Sequence, residues 1–160
     1  MARFLRGKAK YRRRARELVL QVLYAWELHN CTDIEGIIEE MVNRPTVPVP
    51  SRIYARKLIK LVIEHLPKID KIIATVSHNW DITRLAIVDK NILRWAIAEM
   101  LYVEDIPPKV SIDEALEVTK KYSSDDARRF VNGVLDAVYK GILLRETLSA
   151  PDEYEAGDTE

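Results

Sequence analysis

Residues 85–101 read LAIVDKNILRWAIAEML, and no glycine or proline interrupts the wider segment from Asp81 to Glu104. Its apolar residues Leu85, Val88, Ile92, Leu93, Ala96, Ile97, Met100 and Leu101 keep helical spacing but spread over more than one side of the helix. A surface helix needs one apolar stripe, whereas a helix that is apolar around most of its circumference must have neighbours around it. The segment predicts the central helix of a helical bundle, closed by Pro107 and Pro108.

The flanking sequence supplies the neighbours. Ala15, Leu18, Val19, Val22, Leu23 and Trp26 recur at i, i+3, i+4, i+7, i+8 and i+11, the stripe of an amphipathic helix. A short helix is expected over Thr32 to Val42, then a stiff connection through Pro45, Pro48 and Pro50. Ser51 is expected to cap a helix carrying Ile53, Leu58, Ile59, Val62 and Leu66, and Pro67 to open another with Ile69, Ile72, Ile73 and Val76. Downstream, Ser111 with Glu114 has the spacing of a capping box, and its helix should end near Tyr122. Ser123 or Ser124 would cap a last helix bearing Phe130, Val131, Val134, Leu135 and Val138, with Gly133 where close helix packing would need a missing side chain. With no alternating strand pattern and only five glycines, the fold class is all-α, with about seven helices.

Charge is distributed unevenly along this neutral chain. The first sixteen residues hold Arg3, Arg6, Lys8, Lys10, Arg12, Arg13, Arg14 and Arg16 and no acid, while Glu146 to Glu160 contains six acids and no base. The expected organisation is a flexible basic arm over 1–10, one helical domain over 11–144 with subdomains near 11–80 and 81–144, and a disordered acidic tail over 145–160. Guanidinium groups match phosphate oxygens with a planar donor fork, and Arg12 to Arg16 stand at what reads as a helix start, where the helix dipole disfavours cations. That placement points to an anionic ligand rather than to stability. If four guanidiniums each neutralise one RNA phosphate, log affinity should fall against log salt with a slope of about −3.

Other chemistry is not encoded. Cys31 is the only cysteine, which excludes intramolecular disulfides and fits a cytoplasmic protein, and His29, His65 and His78 have no metal-ligand spacing. No phosphate-cradling glycine loop or nucleophile elbow is present, and no apolar run approaches the roughly 18 residues of a membrane span. Neither catalysis, nor a cofactor, nor a metal is expected. Trp26, Trp80 and Trp95 are core candidates. Phe130, directly after Arg128 and Arg129, suits either the core or a stacking platform for an unpaired base.

Three segments carry a family pattern. Arg12-Arg13-Arg14-Ala15-Arg16-Glu17 running into Gln21 to Trp26, Val88 to Arg94 with Glu99, and Ser111 to Ala115 through Lys120 followed by Arg129-Phe130-Val131-Asn132-Gly133-Val134-Leu135-Asp136 together resemble the NusB family of bacterial transcription antitermination factors. The likeness covers about Tyr11 to Lys140. It implies two packed helical bundles without catalytic activity, binding the boxA segment of ribosomal RNA leaders together with NusE, a ribosomal small-subunit protein, so that RNA polymerase reads through terminators. By position it implies RNA contacts for Arg12, Arg13, Arg14, Arg16, Asp126, Arg129 and Phe130, and a partner-facing role for Tyr24 and Asp89.

The expected ligand is single-stranded boxA RNA, because sequence-specific RNA readers mostly use unpaired bases. A homodimer is a further expectation for the free form. The rival readings are a NusB-like RNA-binding or scaffold module of ribosome biogenesis, and a DNA-binding helical protein. The second is disfavoured by a basic segment at the far end of the chain from the closely spaced C-terminal helices.

Overall fold

The computed structural model describes residues 2–78 and 82–144, with side chains over 7–78 and 83–143. Trp80, the acidic tail, and the side chains of Arg3 and Arg6 lie outside the described residues. Seven α-helices and no strand occur among them: α1 (Ala2–Leu28), α2 (Ile34–Met41), α3 (Val49–Glu64), α4 (Leu66–Val76), α5 (Ile87–Tyr102), α6 (Pro108–Tyr122) and α7 (Asp125–Leu144), with a single 3-10 turn at Ile82–Arg84 before α5. One group, α1 with α2 and α3, and a second, α5 with α6 and α7, meet along α5.

The deciding stretch behaves as its composition requires. Every residue from Asn91 to Met100 is buried, and α5 packs against α1, α3, α4, α6 and α7. Trp95, Ile97, Leu23, Leu58, Ile73 and Leu135 are fully buried around it, each such aliphatic or aromatic side chain contributing about 1.5–3 kcal/mol. One apolar cluster runs through both groups. Helix α4 packs against α5 and α7 as well as against α3.

Three helix starts differ from expectation, two of them for the same reason. Helix α3 begins at Val49 with Pro48 as its cap and Pro50 in its first turn, and α6 begins at Pro108 after Pro107. Proline has no N–H to leave unpaired and its φ is already helical, so it starts a helix without a serine. Ser51 and Ser111 are therefore inside their helices, not caps, and both are buried. The Ser51 hydroxyl donates to the Tyr11 carbonyl at 2.9 Å and that of Ser111 to Glu99 Oε1 at 2.8 Å, so each ties its helix to another. The third difference is α1, which starts at Ala2, so residues 7–10, read as a flexible arm, are helical and Arg12–Arg16 lie well inside the helix. The dipole argument for those arginines lapses. Elsewhere capping follows the sequence: Ser124 Oγ accepts from the Ala127 N–H at 3.1 Å, and the Asp33 side chain from the Gly36 N–H.

Gly133 does not serve close packing. A Cβ built there meets nothing within 4 Å, and its position on α7 faces open space. Glycine in a helix interior costs roughly 1 kcal/mol relative to alanine. Gly133→Ala should raise the unfolding free energy by about that much in urea titrations, whereas destabilisation would mean that the site is crowded.

Candidate nucleic-acid interface

Arg16 is at the centre of the first bundle rather than at its surface. The residue is 2% exposed, and its guanidinium donates to both carboxylate oxygens of Glu99, itself 0% exposed, at 2.9–3.1 Å. Glu99 also accepts from the Tyr54 hydroxyl at 2.6 Å and from Ser111 at 2.8 Å. Burial and the adjacent carboxylate push the Tyr54 hydroxyl far above its ordinary range, so it stays a donor. Helices α1, α3, α5 and α6 thus meet on one carboxylate. Of the four arginines expected to grip RNA, Arg16 is thus the one whose Nε and Nη2 donors are taken inside the fold.

The other arginines stand further out. Arg12 donates to Asp105 at 2.6 Å and lies over the Tyr54 ring, 5.1 Å from its centroid. Arg13 is mostly exposed and makes a fork to Glu114 at 2.9 and 3.1 Å, a pairing that raises its pKa further. Lys10 and Arg14, one turn apart, are exposed and make no ion pair among the described residues. Continuing the same stripe, Glu17 receives Lys121 at 3.0 Å and the Tyr122 hydroxyl at 3.3 Å, binding the end of α6 to the middle of α1; the Glu17 hydrogen bond holds the Lys121 pKa up. Lys121 also sits over the Tyr122 ring.

One turn beyond is an apolar depression lined by Leu20, Tyr24, Leu28, Met41, Val88 and Tyr122. Tyr24 is exposed there. Asp89, in the first turn of α5, accepts from Ser123 Oγ at 2.7 Å beside Tyr122, so residues distant in sequence border one surface. The turn at Ser123 leads directly into α7, where Asp126 and Arg129 form an exposed pair at 2.6 Å. Arg128, Arg129, Asn132 and Leu116 line a shallow polar hollow between α6 and α7. Phe130 is half-buried and packs against the core cluster.

The family model described as the NusB family matches residues 13–140. The chain belongs to the NusB family. It is 46% identical over 140 residues to the transcription antitermination protein NusB of Chloroherpeton thalassium, covering 86% of this chain and 65% of that longer protein. T. maritima NusB superposes with a TM-score of 0.78 at 37% identity, over 86% of this chain and 96% of that one. A further match, TM-score 0.75 at 32% identity over 82% and 98% of the two chains, is to a crystal structure of antitermination factors NusB and NusE in complex with dsRNA.

Within this NusB-family fold, Glu99 and the arginines divide into structural and surface groups. The sequence pattern includes Glu99 without a role, offers Glu114 only as a capping-box acid and Tyr122 only as a helix end, and gives no signal at Asp105. No local signal could reveal their partners, since the pairs join residues 83 to 105 positions apart. Glu99→Gln takes the bidentate counter-charge from a buried guanidinium, leaving only Glu114 at 3.7 Å, and should cost about 3–5 kcal/mol in urea unfolding. Arg14→Ala should stay within about 0.5 kcal/mol of the parent. Equal effects of the two would contradict this division.

Proposed function

We infer that this chain is a non-enzymatic RNA-binding antitermination factor that engages boxA RNA of ribosomal RNA leaders jointly with NusE, in the cytoplasm, in support of processive transcription. The observation carrying this reading is the exposed stripe of α1: Lys10, Arg13 and Arg14 give way along one face to Glu17 and then to the apolar depression at Tyr24. A polyanion is matched at one end and a protein surface at the other. The resemblance adds Asp126, Arg129 and Phe130, which follow the turn that borders the depression. The solved relative bound to NusE and dsRNA supports the same pairing of ligands. The half-buried Phe130 favours unpaired bases, since every base offers a face for stacking.

Phosphate contacts position a nucleic acid without specifying its sequence. Few base-reading groups line the stripe, so a second protein must extend the recognition surface. Coupling between two such ligands is typically about 1–3 kcal/mol and reciprocal. In calorimetric titrations NusE should therefore tighten boxA RNA by roughly 5–150-fold, and RNA should tighten the protein pair by the same factor. Identical RNA affinity with and without NusE would exclude joint recognition.

With Arg16 removed from the set, Arg12, Arg13 and Arg14 account for three phosphates. The slope of log affinity against log salt should then be about −2 for single-stranded RNA, or about 16-fold weakening for a fourfold rise in salt. Arg13→Ala with Arg14→Ala should flatten it, and Phe130→Ala should weaken RNA binding by about 1–3 kcal/mol without changing it. A duplex of the same sequence, run in parallel, separates the two RNA forms. An unaltered slope in the arginine variant would remove α1 from the interface.

A further inference from the structure

Lys8 and Arg12 converge on a single carboxylate oxygen. The ammonium lies 3.1 Å and the guanidinium 2.6 Å from Asp105 Oδ2. Those two hydrogen bonds, Arg12's first, lower the Asp105 pKa to about 2, so it is an anion throughout the physiological range. Asp105 comes from the loop between α5 and α6, and about half of its side chain is exposed. The cleft they share is walled on its other side by Ile106, Pro107 and Val110.

At Asp105 two cations share one monoanion, while Glu114, which lines the same cleft with Arg16, has its own partners. Asp105 also differs from the second acid on this face: Glu114 is anchored by buried Arg16 at 3.7 Å as well as by Arg13, whereas Asp105 pairs only with Lys8 and Arg12 among the described residues. An exposed carboxylate with no anchor of its own is held weakly and is exchangeable. A phosphodiester has the same single negative charge and two free oxygens, one for the ammonium and one for the guanidinium.

We propose that Lys8 and Arg12 form a phosphate subsite for RNA whose resident anion in the free chain is Asp105, so that RNA enters by replacing the carboxylate. This rests on the RNA-binding reading above and adds to it one defined contact and an internal competitor for it. The subsite also extends the α1 interface N-terminal to the segment that matches the family model, which begins at residue 13.

The experiment compares Asp105→Asn with Asp113→Asn, an exposed acid on α6 without an ion pair among the described residues. Each is titrated against labelled single-stranded boxA RNA at two salt concentrations, with thermal melts recorded alongside. Asp105→Asn should tighten RNA binding by about three- to fivefold at low salt, the factor corresponding to release of one exposed pair. Its salt slope should match the parent's, because the same cations contact phosphate in both complexes and only the competing carboxylate is gone. Asp113→Asn should change affinity by less than about 1.5-fold, the screened residue of a distant charge. Lys8→Ala, which does not depend on the loop keeping its shape, should lose more affinity in the Asp105→Asn background than in the parent. Weaker binding by Asp105→Asn, or an effect equal to that of Asp113→Asn, overturns the exchange. A parent chain that binds no RNA at either salt overturns the functional reading itself.

Discussion

Everything in this molecule is arranged around one buried ion pair, Arg16 with Glu99. Two charges taken out of water are tolerable only when their remaining donors and acceptors are matched, and here Tyr54 and Ser111 complete the carboxylate's set. The groups come from four helices, so a shift of any one would leave a charge or a hydroxyl unpaired at the centre of the bundle. Such a network adds little net energy compared with apolar side chains of the same volume. What it fixes is register, the rotation and depth of α1 against α5 and α6.

That register determines which side of α1 remains for a ligand. Once Arg16 points inward, Arg13, Lys10, Arg14 and Glu17 must point outward along one stripe, with Glu114 and Lys121 of α6 beside it. The same constraint sets Tyr24 above Val88 and Tyr122, and Asp89 beside Ser123. A second partly buried group, Glu27 with Lys90, Arg94 and Asp70, ties the far end of α1 to α5 and α4. Helix α1 is thus pinned at its middle and at its C-terminal end, and a helical basic segment presents its charges with less ordering cost than a disordered arm would.

Much of this was legible in the sequence, because periodicity reports burial. The apolar circumference of residues 91–100 predicted a central helix, and the stripe from Ala15 to Trp26 predicted the face that packs on it. Motif order carried the family. Charge proved less readable. A run of four arginines looks uniform along the chain, yet Arg16 falls on the apolar face with Ala15, Val19 and Leu23, and its counter-charge lies 83 residues away. Helical spacing alone could have separated Arg16 from Arg13 and Arg14, since it shares the Val19 and Leu23 stripe at i+3 and i+7. The serines misled for a different reason: prolines at 48, 50, 107 and 108 start those helices, leaving Ser51 and Ser111 for tertiary bonds. Gly133 was read as a packing residue because a helix-interior glycine usually is one, and here nothing in the chain occupies the space.

The most direct test of this account is a double-mutant cycle between Arg16 and Glu99, with Arg16→Met, Glu99→Met and the pair compared for urea unfolding and for boxA RNA affinity. Each single change deprives one buried charge of its hydrogen-bonded partner and should cost about 3–5 kcal/mol, while the double change, which removes both, should cost less than either alone. RNA affinity of the folded double variant should stay within about twofold of the parent, since both side chains are almost wholly buried. Additive stability losses, or a large loss of RNA affinity in a folded double variant, would contradict the claim that Arg16 belongs to the fold and its neighbours to the ligand.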